Sequence, residues 1–206
     1  MKRQTMYKKT ARTVGFTLIE LMVVVGVISI LAAIAIPNLL DAQIRSKVSR
    51  VKSELRTLAG ALEAYHADFA HYPHWLDHGI EVNPTSRRLI PLTTPIAYMT
   101  SVPGKDPFQD RKMPETYDTY DYVDAESFAR DGDPEPSFRV RGAEWRINSA
   151  GPDCINTYGG PSYLTPLDNP GYDYDPTNGT ISKGDIVRVG AKSKYPGNHL
   201  YPDKVE

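Results

Sequence analysis

Glu20 is the first residue of this 206-residue chain whose position calls for chemistry. It lies at the start of an apolar run, and the 20 residues from Leu21 to Leu40 carry no charge. A carboxylate in lipid costs roughly 2.5–3.5 kcal/mol at the centre of a spanning helix and less near an end. Such a group needs a partner, and a cation brought alongside is the chemistry it asks for. A second set of oxygens comes late in the chain, on Asp153, Asp173, Asp175 and Asp185, with Asn178 able to add a carbonyl. Calcium takes about six to eight hard oxygens from carboxylates and carbonyls on a loop, so these residues are candidate ligands. Their spacing does not follow the helix-loop-helix calcium pattern, and Asp175-Pro176 and Asn178-Gly179 serve equally as turns. His71, His74 and His78 have spacing open to zinc or copper, but Pro73 breaks any helix that would align them. Cys154 is the only cysteine, which excludes an intramolecular disulfide; it reads as a small buried hydrophobe. No nucleophile elbow, phosphate-binding loop, dinucleotide fingerprint or zinc-protease motif is present, so no catalytic residue is assigned.

The element that must carry Glu20 is a helix. About 20 apolar residues cross the hydrocarbon layer of a bilayer, and only a helix or a closed barrel satisfies its backbone there. Residues 1–15 hold Lys2, Arg3, Lys8, Lys9 and Arg12 and no acid, which favours a cytoplasmic N-terminus. A secretory signal peptide fits less well, because the apolar run is too long and the small residue, Gly15, precedes it. Beyond the run, Ile44, Val48, Val51, Leu55, Leu58, Leu62, Tyr65 and Phe69 recur at steps of four and three. That is one apolar stripe on a continuing helix, with Lys47, Arg50, Lys52, Glu54, Arg56 and Glu63 on other faces. Together the halves make a helix of about 50 residues, roughly 75–80 Å long. Pro37 interrupts it near the membrane exit, as a kink or as a hinge with Asn38.

Gly15-Phe16-Thr17-Leu18-Ile19-Glu20, behind a basic leader and ahead of the apolar run, resembles the processing site of type IV pilins and type II secretion pseudopilins. The resemblance implies cleavage after Gly15 by a prepilin peptidase, which also methylates the new N-terminal Phe16. It implies that Glu20 pairs with the freed amine of a neighbouring subunit and that Pro37 marks a segment able to unwind in a filament. It further implies an inner-membrane assembly platform and other copies of the chain, or related pseudopilins, as partners. Lys105-Asp106-Pro107-Phe108 and Trp145 through Asp153 are similar to segments of major, G-type pseudopilins, whose acidic C-terminal loop binds calcium near an Asp-Ile pair. By that resemblance Asp153, Asp175 and Asp185 are the implied ligands, with Asp185-Ile186 as the pair. Phe108 lacks the usual following glycine, and residues 154–184 are longer than the family's loop.

The resulting layout is a cleaved leader at 1–15, a transmembrane helix at 16–40, an amphipathic helix at 41–72 and an exported β domain at 73–206. The fold class is α+β: a long N-terminal helix packed on a small antiparallel sheet with long C-terminal loops. Expected strands are Tyr120–Val123, Ser137–Arg141, Glu144–Asn148 and Thr180–Val189, with turns at Gly142-Ala143 and Asn178-Gly179. From Phe16 onward the chain has 19 Lys and Arg against 25 Asp and Glu, an acidic balance that argues against nucleic-acid binding. The expected function is a structural subunit of a secretion pseudopilus, not an enzyme, anchored in a bacterial inner membrane with its C-terminal domain in the periplasm. A type IV pilin or minor pilin is the near alternative, and a membrane-anchored periplasmic binding protein the distant one.

Overall fold

The computed structural model describes residues 15–132, 140–158, 173–177 and 182–195. Two units separate along the chain, Met1–Leu40 and Asp41–Glu206. Helix α1 (Leu18–Phe69) contributes to both.

In the first unit α1 is apolar all round. Its side chains from Leu18 to Leu40 are almost all exposed, as on a helix with no protein against it. By length and composition this stretch can cross a membrane. Helical backbone continues through Pro37. A proline removes one N–H and leaves the bonds of neighbouring turns available. Next to it, Asn38 Nδ2 donates to the Ile34 carbonyl at 3.2 Å.

In the second unit α1 is amphipathic, and the stripe seen in the sequence is the face it buries. Val48, Val51, Leu55, Leu58 and Leu62 are buried, with Ala59 and Ala61 beside them, and Ile44 and Tyr65 pack at the margin. Phe69, the last residue of the stripe, is 40% exposed. The helix ends there because Ala70 takes φ 57°, a left-handed conformation that stops it. Against the stripe lies a three-stranded antiparallel sheet in the order β3 (Asp121–Asp124), β4 (Trp145–Ser149), β5 (Ile186–Val189). Alternation along the strands places Tyr122, Trp145, Ile147 and Ile186 in the core with Leu89, Leu92 and Phe108. The intervening positions Asp121, Arg146 and Asn148 form a buried polar set of their own.

Two small elements were not legible. A hairpin joins β1 (Leu76–Asp77) to β2 (Ile80–Glu81) through His78 and Gly79, both at positive φ. Helix α2 (Ala125–Arg130) follows β3 directly, its N-terminus capped by Asp124, whose carboxylate accepts the Ser127 N–H at 2.8 Å. The strand expected at Ser137–Arg141 is corrected where it is described: Val140 and Arg141 lie in a turn, closed by Ala143 N–H to the Val140 carbonyl. Arg141 and Gly142 take consecutive left-handed φ values, so the turn is centred on Arg141-Gly142 and not on Gly142-Ala143, while residues 137–139 of the expected strand lie outside the described residues; β4 pairs with β3 and β5. Of the expected strand Thr180–Val189, only Ile186–Val189 is strand among the described residues. Asn178-Gly179 lies outside them.

Candidate functional site

Gly15 and Phe16 precede the first helical residue, so the peptide bond between them lies on non-helical backbone. Phe16 is 85% exposed, and nothing stands within 4 Å of where a Gly15 Cβ would be. This stretch is exposed and outside the helix. Glu20 follows in the first turn of α1, where its carboxylate is engaged by Thr17. The Thr17 N–H donates to Glu20 Oε2 at 2.8 Å, the Thr17 hydroxyl donates to the same oxygen at 2.6 Å, and the Glu20 N–H reaches back to Thr17 Oγ1 at 3.3 Å. This reciprocal arrangement is a capping box, and Thr-x-x-Glu ahead of an apolar run is its sequence signature. Thr17 is therefore the site residue that reading Glu20 alone passes over. Three residues on, the helix dipole also favours an acid in the first turn. Pro37 sits 17 residues later in the same helix, away from this group.

The late carboxylates are placed differently. Asp185 is fully buried and accepts from Asn148 Nδ2 at 2.8 Å, from the Thr157 N–H and hydroxyl at 3.1 and 3.0 Å, and from the Tyr158 N–H at 3.3 Å. Burial pushes its pKa well up, against the pull of those donors. Asp173 bridges to Asp185 through backbone and pairs its carboxylate with Arg141 and the Tyr158 hydroxyl. Asp153 closes a turn on the Ile155 N–H at 3.2 Å, and Asp175 does the same with Thr177. Among the described residues no three carboxylate, histidine or cysteine groups form a metal cluster. The implied calcium ligands Asp153, Asp175 and Asp185 thus do not share a cage of oxygens, and Asp185 has its oxygens already occupied by N–H and O–H donors. The described carboxylates do not fit the ion in this arrangement.

The loops here are held at close range. A Cβ on Gly184 would lie 2.3 Å from the Asp173 carbonyl, and one on Gly151 2.2 Å from the Gly184 carbonyl. Asp106 and Asp110, two further buried acids, fix turns: Asp106 accepts the Phe108 N–H, and Asp110 accepts from Lys112, Met113 and Asn156. The histidines form no chelate. His71 and His74 stack at 5.0 Å with planes 9° apart, and His74 Nδ1 lies 3.5 Å from Asp124.

The N-terminal geometry coincides with a matched family. Residues 15–36 fit the prokaryotic N-terminal methylation motif, a span that contains Gly15, Phe16 and Glu20. The match lies in the N-terminal segment of the chain. The chain is 51% identical over 61 residues to the type IV major pilin protein PilA of Myxococcus xanthus, covering 30% of the chain and 28% of PilA. It is 41% identical over 59 residues to the type II secretion system core protein G of Klebsiella pneumoniae (29% of the chain, 42% of that protein). With the same protein of Vibrio cholerae the identity is 38% over 74 residues, 36% of the chain and 50% of the relative. The chain therefore spans no more than half the length of these relatives. No solved structure matches it.

Proposed function

We propose that the chain is a structural subunit of a type II secretion-type pseudopilus, processed after Gly15, methylated on Phe16 and assembled through its apolar helix. The observation that carries this reading is the methylation motif over residues 15–36 with Glu20 inside it, on a helix apolar enough to span a membrane. The secretion form is preferred because the alignment with the Vibrio cholerae core protein G runs longer, 74 residues against 61 for PilA. A type IV pilin is the second reading, favoured by the higher identity with PilA. In either case the chain is a substrate of the peptidase and has no catalytic role. Its domain lies on the far side of the inner membrane from the leader, and its partners are the peptidase, further copies and the assembly platform.

Glu20 gives the mechanism. Inside one chain the carboxylate is satisfied by Thr17, which lowers the cost of placing it in lipid. Cleavage creates a Phe16 ammonium four residues ahead of Glu20, and methylation leaves that amine charged. The ammonium of one copy and the Glu20 carboxylate of the next then neutralise each other in a low-dielectric medium, which also fixes axial register. The test uses the full chain in its native membrane. Mass spectrometry of the mature protein should show an N-methylated Phe16, and Glu20→Leu should insert and be cleaved yet give no fibre. A mature protein that still begins at the basic leader, or Glu20→Leu fibres at normal yield, overturns the reading.

A further inference from the structure

The face of α1 just beyond the apolar run carries three cations that make no salt bridge among the described residues. Arg45, Ser49, Lys52 and Arg56 follow one another at steps of four, three and four, which places them on one side of the helix. They line a cleft of about 430 Å³ whose opposite wall is Tyr174 and Pro176. Ile44 and Val48 add an apolar edge. All four helix residues are exposed, and among the described residues Arg45, Lys52 and Arg56 make no salt bridge. Lys52 Nζ rests over the Tyr174 ring at 5.8 Å. Outside the cleft, Arg50 is paired with Glu54 at 2.7 Å, and Lys47 lies 5.8 Å from the centre of the Phe108 ring.

The counter-charge is elsewhere in the same sequence. Between Asp41 and Arg56 there are five Lys and Arg against two Asp and Glu, whereas from Pro73 onward there are fourteen against twenty. Asp77, Glu81, Glu115 and Asp131 of the acidic part are exposed. One chain thus displays both signs of an electrostatic contact on different surfaces, the arrangement that lets identical copies associate head to tail in an open fibre.

We propose that the Arg45–Lys52–Arg56 cleft receives the acidic surface of a second copy of this chain, a contact separate from the pairing of Glu20. It rests on the filament reading. Tyr174 and the apolar edge screen the cleft from part of the solvent, which strengthens charge pairing there relative to open water.

The experiment places a photoreactive benzoylphenylalanine at Ser49 in the full-length protein in its native membrane. Illumination should give a dimer of this chain whose cross-linked peptide comes from beyond residue 72. Lys52→Glu with Arg56→Glu should cut that dimer and the fibre yield about tenfold, and Lys52→Gln with Arg56→Gln should cut them less. N-terminal processing and the melting midpoint should stay unchanged in both, since the residues are exposed. Capture of lipid in place of protein, or a dimer indifferent to charge reversal, overturns the contact while leaving processed fibres in place. An uncleaved wild-type chain that makes no fibre sinks the filament reading, and the contact with it.

Discussion

The indole N–H of Trp145 donates to the Glu63 carboxylate across 2.9 Å, fastening the first residue of β4 to α1. Tyr120, just ahead of β3, makes the parallel link, its hydroxyl donating to Glu54 at 2.6 Å. In both pairs a buried aromatic carries its polar tip to the flank of the helix, so the apolar body joins the core while the donor meets an acid nearer the solvent. Removing one hydroxyl tests the arrangement. Tyr120→Phe should lower the unfolding free energy by about 1–2 kcal/mol, the range for a hydrogen bond to a charged group with some solvent access. Denaturant titration of the double variant with Glu54→Gln should show much less than the sum of the single effects. Additive losses would mean that the two groups do not interact.

Asp121 is the charge on which the buried polar face of the sheet depends. Its two oxygens accept from Arg88 at 2.8 Å and Arg146 at 3.1 Å, and all three residues are buried. Arg88 is further held by the Val82 and Tyr122 carbonyls and lies over Trp75. Asp121→Asn keeps the shape but withdraws the carboxylate that two buried guanidinium groups share. The expected loss is about 3–5 kcal/mol, and chemical denaturation measures it. A loss below 1 kcal/mol, by the same principle, would show that water enters and solvates both arginines.

His74 should give the domain a pH dependence. The neighbouring Asp124 carboxylate raises the imidazole pKa above its ordinary 6.5, with burial opposing. Glu126 adds to the rise and Arg130 works against it, while His71 is stacked on the ring. Because the folded state binds the proton more tightly than the unfolded chain, the stabilisation is complete below the ordinary value and fades as pH rises through the folded one. The melting midpoint should therefore fall from about pH 6 to pH 8, and His74→Gln should flatten that slope. Asp106 and Asp185, raised by burial, have the same sign in a window that opens above 3.8, so they add a slope common to both proteins. An identical slope in the variant would remove His74 from the account.

Calcium can be judged by its linkage to folding. With Asp185 enclosed by N–H and O–H donors and Asp153 and Asp175 closing separate turns, adding the ion after a chelator should move the melting midpoint by less than about 1 °C. An ion at about 100 times its dissociation constant stabilises by about 2.7 kcal/mol, a shift of several degrees in a domain of this size. A rise of that order would show that the loops rebuild around the metal.

What could be read in advance follows from which forces are local. The stripe from Ile44 to Tyr65 was legible because helical periodicity and burial coincide, and the apolar run because length alone selects a helix in lipid. Two strands were found within one residue at each end, and the third at its C-terminal end alone, since β-branched and aromatic residues cluster at Tyr122, Trp145 and Ile186. Helix α2 was missed although Asp124 ahead of Ala-Glu-Ser is an N-cap signal, because six residues are too few to show a period. The turn at Arg141 was missed because a non-glycine residue at positive φ leaves no mark in the sequence. At the N-terminal site Glu20 stood out by its cost, whereas Thr17 looked like an ordinary residue in an apolar run. The carboxylates near Asp185 could be listed but not sorted, since their partners Asn148, Thr157 and Tyr158 come from distant segments.

At Gly184 two loop backbones cross with room for no more than a hydrogen atom between them. That crossing should divide the acidic end of the domain by mutability. Every substitution at Gly184 would prise the crossing open and set Asp173 and Asp185 adrift together, while Asp175, one turn away and exposed, would accept almost any residue. A saturation library ranked by protease resistance would then show Gly151 and Gly184 intolerant and Asp175 permissive, the mark of a mechanical pin beside a spacer.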